Sequence, residues 1–236
     1  MMMRATYAML FRCSALKLAL LVIPLFAVPC AANQVWLTQG VSARASDSLR
    51  LGFYNSLYTE HARHNSNEDG IWLNWNFSDN WSLGAGVTHS QYKYKDKESG
   101  LRHWKLSNRP SETASLRWRA SARGVDFLDS NVFEFFFRAD KPDWLVYKNL
   151  FTVTAPAVPG VPWRPRPYGT QCIYVSGEEK FDGLEHFSQF HYIAGFSLRP
   201  ANCLLLALYW QYRRIETNPD DWTNLRITGL STTLLF

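Results

Sequence analysis

The chain has 236 residues, with 25 Lys+Arg against 20 Asp+Glu. Three of the basic residues and none of the acidic ones lie in the first 32 positions, so the remainder holds 22 basic and 20 acidic residues, a net charge of +2. This weak charge argues against a nucleic-acid partner, and the absence of 18 consecutive apolar residues after position 32 argues against a helical membrane protein.

The first 32 residues are typical of a secretory signal. Arg4, Arg12 and Lys17 precede an apolar run of 11 residues, LALLVIPLFAV, and small residues follow at Cys30 and Ala32. We expect cleavage after Ala32, which leaves one domain over 33–236.

Apolar and polar residues alternate along the rest of the chain. In WSLGAGVTH, for example, Trp81, Leu83 and Val87 share one face while Ser82 and Thr88 share the other. A period of two residues is typical of β-strands with two different faces. About twelve strands are predicted, with ten as the alternative: 34–44, 49–60, 71–77, 82–94, 101–108, 112–123, 131–139, 145–154, 168–176, 188–199, 204–214 and 225–236.

The segments between these runs differ in length. Short turns are predicted at 46–47, 79–80 and near 200–203, and longer polar links at EHARHNSNEDG, KDKESG, SGEEKFDGLEH and ETNPDDWT. The segment TAPAVPGVPWRPRP holds five prolines and should be a loop.

Short turns alternating with longer loops favour an antiparallel up-and-down transmembrane β-barrel, with the short turns on the periplasmic side. Strict alternation does not fit all these turns. The expected faults are a missed or spurious strand between 140 and 180 and a first run that does not span, and both corrections together return ten or twelve strands.

The alternative fold is a soluble exported β-sandwich. It differs from a transmembrane barrel in the surroundings of its apolar faces. Aromatic side chains near strand ends favour the barrel, because they resemble an interfacial girdle. The chain also stops on Phe236 after an alternating run, which resembles the terminal signal that the barrel-insertion machinery recognises in bacterial outer-membrane proteins. A barrel in lipid must close, so the last strand should pair with a segment between Gln34 and Leu57.

In a barrel, the polar faces of the strands line the lumen. The strand containing RWRASAR is expected to lie beside FEFFFR, so that its arginines form a charged ladder with the Glu and Arg of that neighbour. The lumen-facing charged candidates are Arg50, Arg117, Arg119, Arg123, Glu134, Arg138, His191, Arg199 and Arg213.

Several short segments resemble the bacterial outer-membrane barrel family catalogued as domain of unknown function 2490. They are an early Trp (Trp36), RWRASAR followed by FEFFFR, and RPRPYGTQCIYVSGEEKF with its Glu179-Lys180-Phe181 segment. The resemblance covers nearly all of 34–236. It implies a β-barrel in the outer membrane and no established activity.

The sequence suggests three candidate functions. The first is a structural or narrow-channel role in the Gram-negative envelope, where excess Arg would favour acidic solutes unless the lumenal groups pair and plug the barrel. The second is an esterase, because the His64 and Ser66 segment is similar to one in the lipid A deacylase family. The third is contact of Lys93, Lys95 and Lys97 with lipopolysaccharide phosphates.

Other chemistry is not indicated. No Cys and His spacing suggests a metal site, no cofactor is expected, and no catalytic residue is assigned. Cys172 and Cys203 remain in the exported chain, where a disulfide is permitted, but the sequence leaves their pairing open. The expected partners are outer-membrane lipid, lipopolysaccharide and the insertion machinery, and the oligomeric state is not predicted.

Overall fold

The computed structural model describes residues 34–60, 63–95, 102–120, 124–137, 143–176, 186–218 and 221–236. None of these residues belongs to a helix long and apolar enough to cross a membrane. Eleven strands account for most of the described chain: β1 Gln34–Arg44, β2 Leu49–Glu60, β3 Arg63–Asn76, β4 Trp81–Lys95, β5 Arg102–Ala120, β6 Val125–Phe136, β7 Trp144–Thr154, β8 Arg166–Ser176, β9 His186–Ala201, β10 Leu204–Asn218 and β11 Asp221–Leu235.

The strands form one closed barrel, which confirms the all-β barrel prediction. Each strand is antiparallel to the next along the chain, and the barrel closes where β11 lies parallel to β1. This closing ladder joins residues 34–42 to 227–235, so the predicted pairing of the last strand with the first region of the domain is confirmed. Every strand therefore has two hydrogen-bonded neighbours, and no edge is left open.

The odd number of strands places the two chain ends of the barrel at opposite rims. Gln34 begins β1 at one rim, the Gln34 end, and Phe236 follows β11 at the other, the Phe236 end. The backbone of Phe236 is hydrogen-bonded to Ser42 and Arg44, each at 2.9 Å. The predicted turns at 46–47, 79–80 and near 200–203 all lie at the Phe236 end, together with the proline-rich loop.

The predicted count of twelve differs from eleven because two predicted runs, 101–108 and 112–123, are one continuous strand, β5. Pro110 lies in its interior and pairs with Val87 on the β4 side. On the β6 side the ladder covers Ser111–Ala120 and is followed only by a bridge from Asn108 to Phe137. Pro110 lacks an N–H donor, so it interrupts one ladder without ending the strand. The fault thus lies earlier in the chain than the expected range of 140 to 180. The expectation that the first run does not span is also wrong, because β1 pairs along its length with β2 and β11.

Two segments predicted as polar links are also mostly strand. EHARHNSNEDG belongs largely to β3, and residues of ETNPDDWT extend β10 and β11. Polar residues misled the prediction because a barrel strand with water on one face tolerates them near its ends. The proline-rich segment is a loop, as predicted, braced by a 2.9 Å hydrogen bond from Val158 N to Pro165 O.

Polarity in this barrel is the reverse of that in a soluble protein. Among the described residues the buried apolar side chains are few, namely Val146, Cys172, Leu204 and Ile227, whereas Ser, His, Gln and Glu side chains are buried in the lumen. Large apolar side chains on the outer faces of the strands are exposed instead, including Ile71 at 64% and Val87 at 53%. A core of apolar side chains between two sheets, as in the alternative sandwich, is not what this chain builds.

Aromatic rings lie flat across neighbouring strands inside the lumen, each over a glycine. A Cβ at Gly52 would overlap the indole of Trp72, and a Cβ at Gly229 would overlap the phenol ring of Tyr209. Glycine is needed at these points for close approach. These pairs fill part of the lumen and fix the directions of the large side chains around the charged site.

Candidate functional site in the barrel lumen

A chain of acidic and basic side chains follows one wall of the lumen. The guanidinium of Arg109 on β5 forms an ion pair with Glu68 on β3, and its NH2 also donates to Ser90 on β4 at 2.6 Å. Its NH1 lies 3.9 Å from an oxygen of Glu134 on β6. The other carboxylate oxygen of Glu134 lies 2.5 Å from the Nζ of Lys148 on β7. These charges are largely shielded from solvent, since the four side chains are 12–21% exposed.

Ring contacts continue this chain along the opposite wall. The Nζ of Lys148 lies 5.0 Å from the ring centre of Tyr174 on β8, and that ring is 4.5 Å from the imidazole of His191 on β9. Arg213 on β10 donates from Nε to His191 Nε2 at 3.0 Å and lies over the indole of Trp36 on β1, 5.1 Å from its centre.

Trp36 and Tyr58 then complete the circuit. Their rings meet edge to face, with centres 4.4 Å apart, and the Tyr58 hydroxyl donates to Glu68. We call this continuous circuit the lumenal ring. It takes one side chain from each strand except β11: Trp36, Tyr58, Glu68, Ser90, Arg109, Glu134, Lys148, Tyr174, His191 and Arg213.

Charge is distributed unevenly around the lumenal ring. Arg109 and Lys148 face Glu68 and Glu134, so one wall is balanced. Within the part of the chain that the structure describes, Arg213 has only neutral partners: His191, Trp36 and Gln189, whose Oε1 accepts from its NH2 at 3.0 Å. The ring thus has one cation whose charge is not matched by a contacting carboxylate.

A cavity of about 660 Å³ opens inside the barrel beside this cation. Members of the lumenal ring line it, together with Phe136, Trp144 and the buried Glu216. Charged side chains line the cavity at Glu68, Arg109, Lys148, Arg213 and Glu216, and aromatic rings line it at Trp36, Phe136, Trp144 and Tyr174. Pockets for small organic molecules combine apolar and aromatic walls with a few polar groups that orient the ligand.

Three of the predicted lumenal residues belong to the lumenal ring: Glu134, His191 and Arg213. His191 is 3% exposed and is hydrogen-bonded to Gln211 through Nδ1 at 3.0 Å. The structure places these three side chains on the lumenal faces of β6, β9 and β10.

Arg117 and Arg119, the described arginines of the predicted ladder, do not lie beside Glu134. Glu134 pairs with Ser111 in register, while Arg117 pairs with Leu128 and Arg119 with Asp126, nearer the Phe236 end. The carboxylate of Asp126 binds Arg119 at 2.5 Å and Arg166 at 2.6 Å instead. The strand order was right, but the register was not known.

The other predicted residues lie at the rim or beyond the described ranges. Arg50 and Arg117 are exposed on the lumenal side of their strands, and Arg199 is exposed beside the β9–β10 turn, where its NH2 donates to Asn202 O at 3.2 Å. Arg123, Arg138, Lys97 and the Glu179-Lys180-Phe181 segment lie outside the described residues.

Three of the five charged groups of the lumenal ring are absent from the sequence prediction, namely Glu68, Arg109 and Lys148. Glu68 lies in a segment predicted as a loop. Arg109 lies beside Pro110, between two predicted strands, and Lys148 lies in a mostly apolar run. The apolar residues Ile71, Leu73 and Trp75 mark the outer face of β3. Alternation continued back along the strand would have placed Glu68 on the opposite, lumenal face.

The esterase segment lies in strand β3, not in the polar loop expected for it. Ser66 lines the cavity and pairs with Tyr58 and Tyr92 across neighbouring strands. The enzymatic role of this segment stays a prediction.

No disulfide joins Cys172 to Cys203 in the described part of the chain. Cys172 is buried in the middle of β8, opposite His191, whereas Cys203 lies in the turn after β9 at the Phe236 end. The two positions that the sequence left open for pairing are therefore far apart along the barrel.

In sequence comparisons the chain matches no protein-family model and no curated protein. The resemblance to domain of unknown function 2490 stays a prediction.

Proposed function

We propose that this protein is a structural β-barrel of the bacterial outer membrane, with a lumen that its own side chains close. The proposal depends chiefly on the reversed polarity of the barrel. An apolar outer face is stable against hydrocarbon, while in water it would cost about 25 cal/mol for each Å² left exposed. Closure supports the same setting, since hydrocarbon offers no partner to an open strand edge.

An aromatic cluster on the outer face supports a membrane interface near the Phe236 end. Trp118, Phe127 and Phe151 cluster on the outer face near the Phe236 end, with Trp118 and Phe127 stacked at 5.4 Å. Aromatic girdles of this kind mark the headgroup level of transmembrane barrels. In this setting the Phe236 end faces the periplasm, and lipid, lipopolysaccharide and the insertion machinery are the partners.

The lumenal ring supports a closed lumen over a porin-like one. Its contacts are mutual, since each charged group except Arg213 has an opposite charge within reach, and the rings of Trp36, Tyr58 and Tyr174 lie between these groups beside the cavity. An open aqueous channel would instead leave these groups separated by water. Small barrels are generally filled by side chains in this way.

Two experiments test the proposal. In the membrane fraction the mature protein should migrate as a compact band in SDS until boiled, and recovery as a monomer from periplasmic extracts without detergent would refute the membrane location. In planar bilayers the folded protein should give no steady current. A reproducible anion-selective conductance would replace the closed structural role with that of a narrow channel.

A further inference from the structure

We propose that the lumenal cavity is a binding site for a small aromatic monocarboxylate, whose carboxylate is held by Arg213. The inference goes beyond the structural role, and it does not depend on where the barrel resides.

Arg213 is fixed by two neutral acceptors. Its Nε donates to His191 and one NH2 hydrogen to Gln189, both at 3.0 Å. A guanidinium carries five N–H donors, so three remain to bind a ligand. No carboxylate of the described residues forms an ion pair with Arg213, and a planar fork of free donors suits the two oxygens of a carboxylate.

The groups that hold Arg213 are themselves rigid. His191 is hydrogen-bonded to Gln211 and lies against the ring of Tyr174, and His191 and Gln211 are only 3% and 2% exposed. Trp36 supports the face of the guanidinium. A cation held in this way loses little freedom on binding, which raises affinity.

Neighbouring charges select the charge of the ligand. Arg109 and Lys148 are committed to Glu68 and Glu134, so they offer no second positive site. Glu216 also lines the cavity, where it has an interaction of its own. A ligand with one negative charge avoids repulsion from this carboxylate better than a phosphate dianion does.

The rest of the wall selects the body of the ligand. Trp36, Phe136, Trp144 and Tyr174 present aromatic rings to the cavity. Its volume of about 660 Å³ lies within the range of about 300–1,000 Å³ that is typical of small-molecule sites. A flat aromatic body can stack on these rings while its carboxylate meets Arg213.

Titration calorimetry with 2-naphthoate tests the site on the folded mature protein in detergent. The variant R213M removes the cation but keeps an apolar side chain of similar length against Trp36. The matched control is R214M, because Arg214 is the next residue of β10, is exposed, and lies over the ring of Trp222, with its Cζ 4.8 Å from the ring centre. Both variants meet the same micelles, so partition of the ligand into detergent cancels.

We expect R213M to bind at least about tenfold more weakly than the parent, since a charged hydrogen-bonded partner is lost, and R214M to bind like the parent. The neutral amide 2-naphthamide should also bind at least about tenfold more weakly than 2-naphthoate. If circular dichroism shows that R213M does not fold, R213K serves in its place. It should weaken binding because an ammonium cannot form the fork.

No binding to the parent protein, equal binding by the Arg213 variants, or equally tight binding of inorganic phosphate would overturn the assignment. None of these results bears on the membrane location, which the boiling experiment tests separately.

Discussion

At the scale of single residues, Lys148 shows how the barrel keeps charge inside. Its ammonium is 14% exposed, and Glu134 is its carboxylate partner. Without Lys148, the carboxylates of Glu134 and Glu68 would share the single cation of Arg109, which leaves one buried negative charge unmatched. An unmatched buried charge costs far more than an intact buried pair contributes.

We therefore expect K148M to lower the free energy of unfolding by about 3–5 kcal/mol. Lys93 provides the control, because its exposed ammonium lies over Trp104 at 5.1 Å, and K93M should change stability by less than about 1 kcal/mol. Urea unfolding of both variants in detergent measures the difference. Equal stabilities would show that the lumenal ring contributes nothing to the fold.

Glycines under aromatic rings give a second prediction at this scale. Gly52→Ala should displace the indole of Trp72 and destabilise the barrel by about 1–3 kcal/mol, as overpacking generally does. Gly169→Ala should be tolerated, because the nearest atom to a Cβ at that position is 3.9 Å away. Unfolding midpoints compare the two variants, and a Gly52→Ala protein as stable as the parent would refute the packing.

At the scale of elements, polar residues on the outer face of β6 and β7 are satisfied by one another. The amide of Asn149 donates to Asp129 at 2.7 Å and to Asn131 at 3.2 Å, and the Tyr147 hydroxyl donates to Asn131 at 2.6 Å. The exposed rings of Phe133 and Phe151 lie on the same side of these strands. Away from water such groups must bond to each other.

Asn149→Ala should destabilise the protein by about 1–3 kcal/mol, because Asp129 loses its donor while Asn131 keeps only the Tyr147 hydroxyl. The control is Gln171→Ala, an exposed position on the same outer side of β8. Urea unfolding of the two variants in lipid bilayers gives the comparison, and an unaffected Asn149→Ala barrel would mean that water reaches this row of side chains.

The parallel closure can be tested by a cross-link. Leu37 of β1 faces Leu230 of β11 in register, and neighbouring strands lie about 4.8 Å apart, within the range of Cα distances that a disulfide spans. In a Cys203→Ser background, Leu37→Cys with Leu230→Cys should oxidise to one species of altered mobility. Leu37→Cys with Leu234→Cys, four residues along the strand, should not. The opposite pattern would rule out this register.

At the scale of the whole molecule, the sequence predicted most of the barrel. Alternation placed β1 and β2 at their observed bounds, and it identified the outer faces of Phe133 and Phe135. The prediction failed at Pro110. A proline usually ends a strand, yet this one lies inside β5, where it interrupts one ladder.

The register between neighbouring strands could not be predicted, because it depends on pairing between distant segments of the chain. The site in turn depends on this register. Arg119 therefore has Asp126 as its partner, and the ring through Glu68 and Arg109 was found only in the structure.

Nitroxide labels along β4 test most directly which solvent meets each face. Labels at Leu83 and Val87 should collide mainly with oxygen dissolved in the lipid, and labels at Ser82 and Thr88 mainly with a water-soluble nickel reagent. The two accessibilities should alternate with a period of two residues in reconstituted protein. A water-soluble preparation in which Leu83 and Val87 are shielded from both reagents would contradict the account, since those side chains would then form an interior core.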